Sequence, residues 1–474
     1  VASDWIDRRR AGLLLHISSL PGPFACGVLG EEARLFVDLL AEAGFSVWQF
    51  LPLGPTHGVH SPYESTSSFA GNPCFLDLRE CVARGWLNEG ECDSPQARAR
   101  AATGFWRAVE ADDELAADVR HFRESQAFWL EDFALFSALK HHFDGRPWWR
   151  WPRELRDRQA NALASAAREY REHVRQIVFE QFLFHRQWAA LKRHAESRGV
   201  RLFGDIPIYA AHDSADVWSH RALFTLDETG RCVEVAGVPP DYFSKRGQRW
   251  GNPLYRWDAL EASGFDWWVA RVQAQMARMH ILRIDHFRGL EAYWAIPADA
   301  PDGRRGEWRK APGEALLTTL RERLGCLPLV AEDLGLITPE VKALLDRFDL
   351  PGMKVLQFAF DGAPDNPYLP ENIGANSVIY TGTHDNDTTL GWFRMLDDAT
   401  RSRVLARTGG LEDDMPWPLI GMAMESRALL AIVPMQDVLG LGSEARFNTP
   451  GTARGNWRWR LSNLSGMDAA WNRA

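Results

Sequence analysis

Eight short apolar runs recur along this chain, and each ends in polar residues. They occupy 13–19 (LLLHISS), 46–53 (SVWQFLPL), 200–208 (VRLFGDIPI), 280–287 (HILRIDHF), 328–335 (PLVAEDLG), 354–361 (KVLQFAFD), 377–385 (SVIYTGTHD) and 430–437 (LAIVPMQD). Apolar runs of about four to eight residues without strict alternation suit strands covered on both faces, as in a parallel sheet. Amphipathic stretches separate several of them. Residues 32–44 (EARLFVDLLAEAG) and 339–348 (PEVKALLDRF) read as helices, the second with Thr338 at its N-cap and Pro339 at its first helical position. Eight strand-then-helix signals predict the α/β class, a (β/α)8 TIM barrel with inserted, largely helical subdomains.

Two intervals are too long for simple connections. Residues 54–199 hold a Gly/Ser-rich loop and then a helical insertion. Its apolar stripes, Trp129–Phe133–Phe136–Leu139 and Val174–Ile177–Val178–Phe182, have the spacing of core faces. Residues 209–279 hold a second insertion containing GVPPDYFSKRGQRWGNPLY (237–255). Its Pro, Gly and Tyr-Phe content predicts a mobile, lid-like loop near a site. The expected organisation is a single barrel domain over 1–474, interrupted at about 54–199 and 209–279. No internal repeat or low-complexity tract is present.

Composition narrows the function classes. The 474 residues are 46% hydrophobic, enough for a large core, and the formal charge is −9. No long basic run occurs, which argues against nucleic acid and anionic membranes as partners. The opening segment VASDWIDRRRAGLLLHISSLPG has too short an apolar stretch for a signal sequence, and no stretch approaches the ~18 residues of a membrane span. The six cysteines show no CxxC spacing and read as free thiols. These features predict a cytoplasmic protein. No P-loop or strand-linked GxGxxG is present. The chain also has 21 Trp. Most fill the core, but GRPWWRWP (145–152) and QRWGNPLYRW (248–257) interleave Trp with Arg, Gln and Asn. An indole joins a large apolar face to an N–H donor, which suits the C–H face and polar rim of a sugar ring.

The chemistry lies where the runs end. His16, Asp205, Asp285, Glu332, Gln357, His384 with Asp385, and Asp437 all fall at C-terminal ends of runs, the end that carries active sites in such barrels. Each alone is as readily a strand-end turn or helix cap; together they point to a site. Arg283 and Asp285, two apart on one strand, face inward together. A guanidinium beside a carboxylate favours its ionised form, as a nucleophile toward a sugar C1 requires. Glu332 ends an apolar strand with no basic neighbour in sequence, an environment that favours the protonated form of a general acid. Two such carboxyls about 5–5.5 Å apart give double displacement with retention. Asp385 is a third carboxylate, suited to holding sugar hydroxyls. A competing reading makes THDND, His16 and Asp205 a divalent-metal site, but the first strand supplies only one His. For His286 and His384 singly, the bland reading is a satisfied structural histidine.

With these motifs the chain resembles glycoside hydrolase family 77, the 4-α-glucanotransferases. The match runs from LLLHISSLPGPFACGVLG (13–30) to SEARFNTPGTARGNWRWRL (443–461). Between them stand LPLGPT (51–56), SPYESTSSFAGNP (61–73), GDIPIY (204–209), GVPPDYFS (237–244), GQRWGNPLY (247–255), RIDHFRG, AEDLG, THDND and QDVLGLG (436–442). The resemblance implies Asp285 as nucleophile, Glu332 as acid/base and Asp385 as transition-state stabiliser. It places Tyr63, Asp205, Arg283, His286 and His384 around the cleavage subsite. Asp241 in PDYF (240–243) would belong to a loop over the cleft, with Gln248 and Trp250 on the acceptor side and Ser61 and Asp361 as further sugar contacts. One departure is the pair His57 and His60 before SPY, where smaller or different loop residues are expected.

The implied reaction moves an α-1,4-glucan segment from a maltooligosaccharide donor to the 4-hydroxyl of glucose or a maltooligosaccharide acceptor, with no cofactor and no metal. Two alternatives are an α-amylase-like retaining glucan hydrolase and a catalytically silent glucan-binding protein.

Overall fold

Each of the eight apolar runs contributes a strand to one closed barrel in the computed structural model, which describes residues 8–57, 61–94, 96–240, 244–452 and 454–465. The strands in chain order are β1 (Arg10–Leu14), β2 (Val47–Gln49), β3 (Arg201–Pro207), β4 (Glu234–Val238), β5 (Gln248–Pro253), β6 (Ile281–Asp285), β7 (Ala292–Pro297), β8 (Glu307–Lys310), β9 (Leu329–Ala331), β10 (Gly352–Val355), β11 (Ser377–Tyr380) and β12 (Leu430–Pro434). Around the barrel the order is β1, β2, β3, β6, β9, β10, β11, β12, all pairs parallel. Closure joins β1 to β12 in register from Arg10–Leu430 to Leu14–Pro434.

The interior is a packed core with a contribution from every barrel strand. Leu14, Val47, Phe203, Ile281, Val330, Met353, Val355, Val378, Tyr380, Leu430 and Ile432 form one cluster, all nearly or wholly buried. Gly12 in β1 carries no side chain because a Cβ there would lie 2.6 Å from the Val47 carbonyl oxygen and 2.7 Å from Ile432. Alternate residues such as Leu13, Trp48, Leu202, Leu282 and Ile284 face the surrounding helices instead.

Between β2 and β3 the chain builds the helices Ala97–Ala111, Asp113–Ser125, Leu130–His142 and Arg171–Ser197. The expected stripes are core faces. Phe136 and Leu139 are fully buried, Trp129, Phe133, Val178 and Phe182 nearly so, and Val174 and Ile177 pack against them. The 27-residue helix Arg171–Ser197 returns the chain to the barrel, where Trp188 meets Phe50 edge-to-face at 5.4 Å.

The structure differs from the sequence expectation in three places. The runs at 13–19, 354–361 and 430–437 leave the barrel early: 3-10 turns at Ile17–Ser19 and Leu356–Phe358 and a short helix at Met435–Val438 replace their polar ends. The segment 237–255 is largely a β-hairpin, because β4 and β5 join β7 and β8 in an antiparallel sheet ordered β5-β4-β7-β8. β7 and β8 were not foreseen, since Glu-Trp-Arg-Lys carries three charges and reads as surface; it is an edge strand, where charge is tolerated. Finally, the interval 209–279 closes on a regular helix, Asp266–Arg278, which packs on the barrel. Thr338 and Pro339 do start the helix Pro339–Phe348, though the Thr338 side chain makes no capping bond.

Candidate active site

The inward period of β6 sets the centre of the site. Ile281 points into the apolar core, and Arg283 and Asp285 follow at two-residue steps toward the C-terminal mouth. Arg283 is 5% exposed. Its Nη2 donates to Asp285 Oδ1 at 2.5 Å, and Nη1 pairs with Asp205 of β3 and donates to the Tyr63 hydroxyl at 3.2 Å. One buried cation thus holds two carboxylates from adjacent strands, a charge-assisted fork.

Tyr63 extends this network from the loop after β2. Its hydroxyl donates to Asp205 Oδ2 at 2.7 Å and lies 3.0 Å from His384 Nε2. Since the hydroxyl proton goes to Asp205, His384 serves as the donor to Tyr63. Burial lowers the His384 pKa, so the imidazole is neutral at pH 7. The Asp205 carboxyl is pushed up to about 6 by burial, opposed by the Arg283 cation and reinforced by the Asp285 charge.

Glu332 follows β9, the barrel neighbour of β6. Its Oε2 accepts the backbone N–H of His286 at 2.8 Å, and its Oε1 accepts that of Leu334 at 2.8 Å. The Glu332 backbone N–H is bonded to Ile284 and its carbonyl to Phe287, so the two acid-bearing segments are stitched together. Burial, aided by the nearby Asp285 charge, raises the Glu332 carboxyl to about 7; Arg283 and the two backbone donors oppose that rise. The first donor comes from a turn in which His286 adopts φ 53°, a left-handed conformation uncommon outside glycine, and the second from the chain just after Glu332 itself. That geometry aims the His286 N–H at the carboxylate. The His286 ring packs edge-on against Trp250 of β5 at 4.8 Å, and burial lowers its pKa to about 3.

Asp385 sits in the loop after β11 and is 46% exposed at its side chain. Asn448 Nδ2 donates to its Oδ1 at 2.6 Å, and Arg446 Nη2 donates to its carbonyl oxygen at 2.7 Å. Neither residue was assigned from sequence, although both lie in the 443–461 motif. A lone Asn and Arg in a Pro/Gly-rich tail carry no local signal; only the fold brings them beside Asp385.

The loop itself is fixed from below. Asp437, fully buried, accepts from the Thr389 N–H at 2.7 Å, the Thr381 hydroxyl at 2.7 Å and the Thr389 hydroxyl at 2.6 Å. Gln357 Nε2 donates to the Asp387 carbonyl oxygen at 2.9 Å. His16 is held by other partners: its Nδ1 accepts the Leu51 N–H, and its ring packs on Phe75 and Phe447. These three strand-end residues are supports.

The remaining candidates divide. Gln248 is exposed, and its Oε1 accepts the Trp250 indole N–H at 3.0 Å. Ser61 accepts the Tyr63 N–H at 3.3 Å, which shapes the turn carrying that tyrosine. Asp361 is exposed and accepts the Ala363 N–H, with no bond to the acidic cluster. Asp241 and His60 lie outside the described residues. Among the described residues, no group of three or more His, Cys, Asp or Glu side chains is arranged to hold a metal ion. His16 and Asp205, offered above as ligands, are turned to other partners.

Comparison with known proteins adds to this geometry. The sequence model of the 4-alpha-glucanotransferase family matches residues 15–465. A 4-alpha-glucanotransferase of Thermus thermophilus is 53% identical over 96% of this chain and 95% of its own. One from Synechocystis is 45% identical, covering 96% and 94% respectively. An amylomaltase from Streptococcus agalactiae, solved in complex with acarbose, superposes with a TM-score of 0.94 at 33% identity, covering 98% of both chains. The chain belongs to the 4-alpha-glucanotransferases of glycoside hydrolase family 77, the amylomaltases, and carries their activity.

Proposed function

We propose that Asp285 is the nucleophile of this transfer, Glu332 its acid/base and Asp385 the carboxylate that steadies the sugar in the transition state. The observation that supports this best is the contrast between the two acids on β6 and β9. Asp285 is paired with a permanent cation, whereas Glu332 is held near pH 7 by burial and a neighbouring negative charge. Adjacent environments that differ in this way separate the two roles of a retaining mechanism.

In the first step Glu332 protonates the leaving glycosidic oxygen while Asp285 attacks C1, giving a glycosyl ester and a shortened glucan. In the second, Glu332 is a carboxylate and takes the proton from the acceptor 4-hydroxyl, which attacks C1 and frees Asp285. No proton is gained or lost over the cycle. Tyr63, Asp205, Arg283, His286 and His384 would hold the sugar at the cleaved bond. Trp250 and Gln248, on the hairpin over His286, would hold the acceptor and limit water at the ester. The donor is a maltooligosaccharide; the acceptor is glucose or a second maltooligosaccharide. The binding of acarbose by the Streptococcus agalactiae amylomaltase is in keeping with this substrate class.

Incubation with maltotriose tests the reading. Transfer yields glucose together with chains longer than the substrate; an α-amylase-like hydrolase yields only shorter products. Asp285→Asn should lower turnover by about a thousandfold or more, since the covalent route is lost. Near-normal turnover in that variant would remove Asp285 from the role. The cytoplasmic placement expected from sequence belongs to this proposal too; the six free thiols suit a reducing compartment, and no described helix is long and apolar enough to cross a membrane.

A further inference from the structure

Two large apolar side chains stand in the open near the segments that leave the acids. Trp308 of β8 is 40% exposed, and Leu336, four residues after Glu332, is 67% exposed. Exposed apolar residues that stand singly need no explanation, but these two are joined. Arg288, three residues after Asp285, places its guanidinium 3.8 Å from the Trp308 ring centroid. Its Nη1 donates to the Leu336 carbonyl oxygen at 2.7 Å. The arginine is only 8% exposed, and its Nε has no hydrogen-bond partner.

The indole is therefore a built platform. Arg288 supports it from one side. Trp294, directly opposite on β7, meets its edge at 5.3 Å and is itself pinned by a bond from its indole N–H to the Gly303 carbonyl oxygen at 2.9 Å. Burying a guanidinium with an unpartnered N–H is unfavourable, and the nearby Glu291 charge offsets that cost only in part. An arrangement that holds an indole rigid and partly bare at that expense calls for something to lie on it.

We propose that Trp308 and Leu336 form an outer acceptor subsite, a surface for the far end of a long glucan acceptor. This rests on the assignment of Glu332 as acid/base. The group that Glu332 protonates, and later deprotonates, is the oxygen on the acceptor side of the cleaved bond. The chain leaving Glu332 runs on to Leu336, and the chain leaving Asp285 runs on to Arg288, so the platform continues the acceptor side outward. The occupant fits the surface: an α-glucan presents an apolar C–H face to an indole and hydroxyls to Lys310, two residues on and on the same face of the strand, and to its partner Glu291.

The test uses α-maltosyl fluoride as donor, which leaves the acceptor side empty once the enzyme is glycosylated, with glucose or maltoheptaose as acceptor. Trp308→Ala should raise KM for maltoheptaose about tenfold, the equivalent of losing one aromatic stacking contact. KM for glucose and kcat with either acceptor should stay within a factor of two or so of the parent, as expected when binding is lost uniformly. Trp308→Phe should restore most of the loss, and Leu336→Ser should reproduce part of it. Equal KM values in parent and Trp308→Ala would overturn the subsite, as would an equal rise for both acceptors. Loss of transfer to glucose in Glu332→Gln, with the Trp308 series unchanged, would leave the acid/base assignment standing and the subsite refuted. Full activity in Glu332→Gln would refute the assignment itself.

Discussion

In the proposed mechanism, Glu332 and Asp285 take different roles because their environments differ. The Glu332 proton is held up to about pH 7. As the acid form is the one the free enzyme needs, kcat/KM for maltotriose should fall as pH rises through about 7, with a slope of about one per unit. A flat profile between pH 6 and 9 would contradict the role. The same logic separates the two acids by substrate. Glu332→Ala should lose maltotriose turnover yet still release fluoride in a single burst from α-maltosyl fluoride, because fluoride leaves without protonation. Asp285→Asn should show no burst with either. Arg283 and Asp285 were readable from sequence, since their two-residue spacing on a strand fixes their common face. The raised Glu332 proton was readable only in direction. One of its two backbone donors depends on a left-handed turn at His286, which the sequence RIDHFRG does not announce.

The decisive element is the connection from β11 to the following helix, residues 381–389. Asp437 grips it at Thr381 and at Thr389, so both ends of the loop carrying His384 and Asp385 hang from one buried carboxylate. Asp437→Ala would strand three donors in a dry setting, and should destabilise the protein by about 2–4 kcal/mol in urea titrations. It should also lower kcat by about tenfold in the folded population, because Asp385, proposed to steady the sugar, would lose its fixed position. Retention of full kcat alongside reduced stability would show that the grip serves the fold alone. From sequence, Asp437 looked like another polar residue at a strand end. It is placed instead on the helix Met435–Val438, since Pro434 ends β12 and the chain turns inward under the neighbouring loop. Strand identity was legible throughout because apolar runs are local. Strand ends were not, because where a chain leaves a barrel is decided by the neighbours it meets.

Across the molecule, stability rests on layered aromatic packing outside the barrel as well as inside. Trp48 is fully buried, packs at 4.9 Å from Phe36 and 5.8 Å from Phe50, and bonds through its indole to the Leu15 carbonyl oxygen. Trp48→Ala should lower unfolding free energy by about 3–5 kcal/mol, read as a shift in the urea midpoint with little change in slope. The architecture was predictable from eight runs, and the side sheet was not, because its edge strand is too short and too charged to announce itself. Closure has a further consequence. β1 bonds to β12 from Arg10–Leu430 to Leu14–Pro434; the Ser19 carbonyl accepts the Leu461 N–H, and Arg460 donates to the carbonyl of Leu20. Asn448, beside Asp385, arrives later than any barrel strand. During synthesis the first strand must therefore wait, with one edge unpaired, until β12, about 420 residues further on, has been made. The nascent protein can hold no finished catalytic centre before that moment. Chaperone depletion should thus reduce its yield more than that of a similar-sized protein built from sequential local domains.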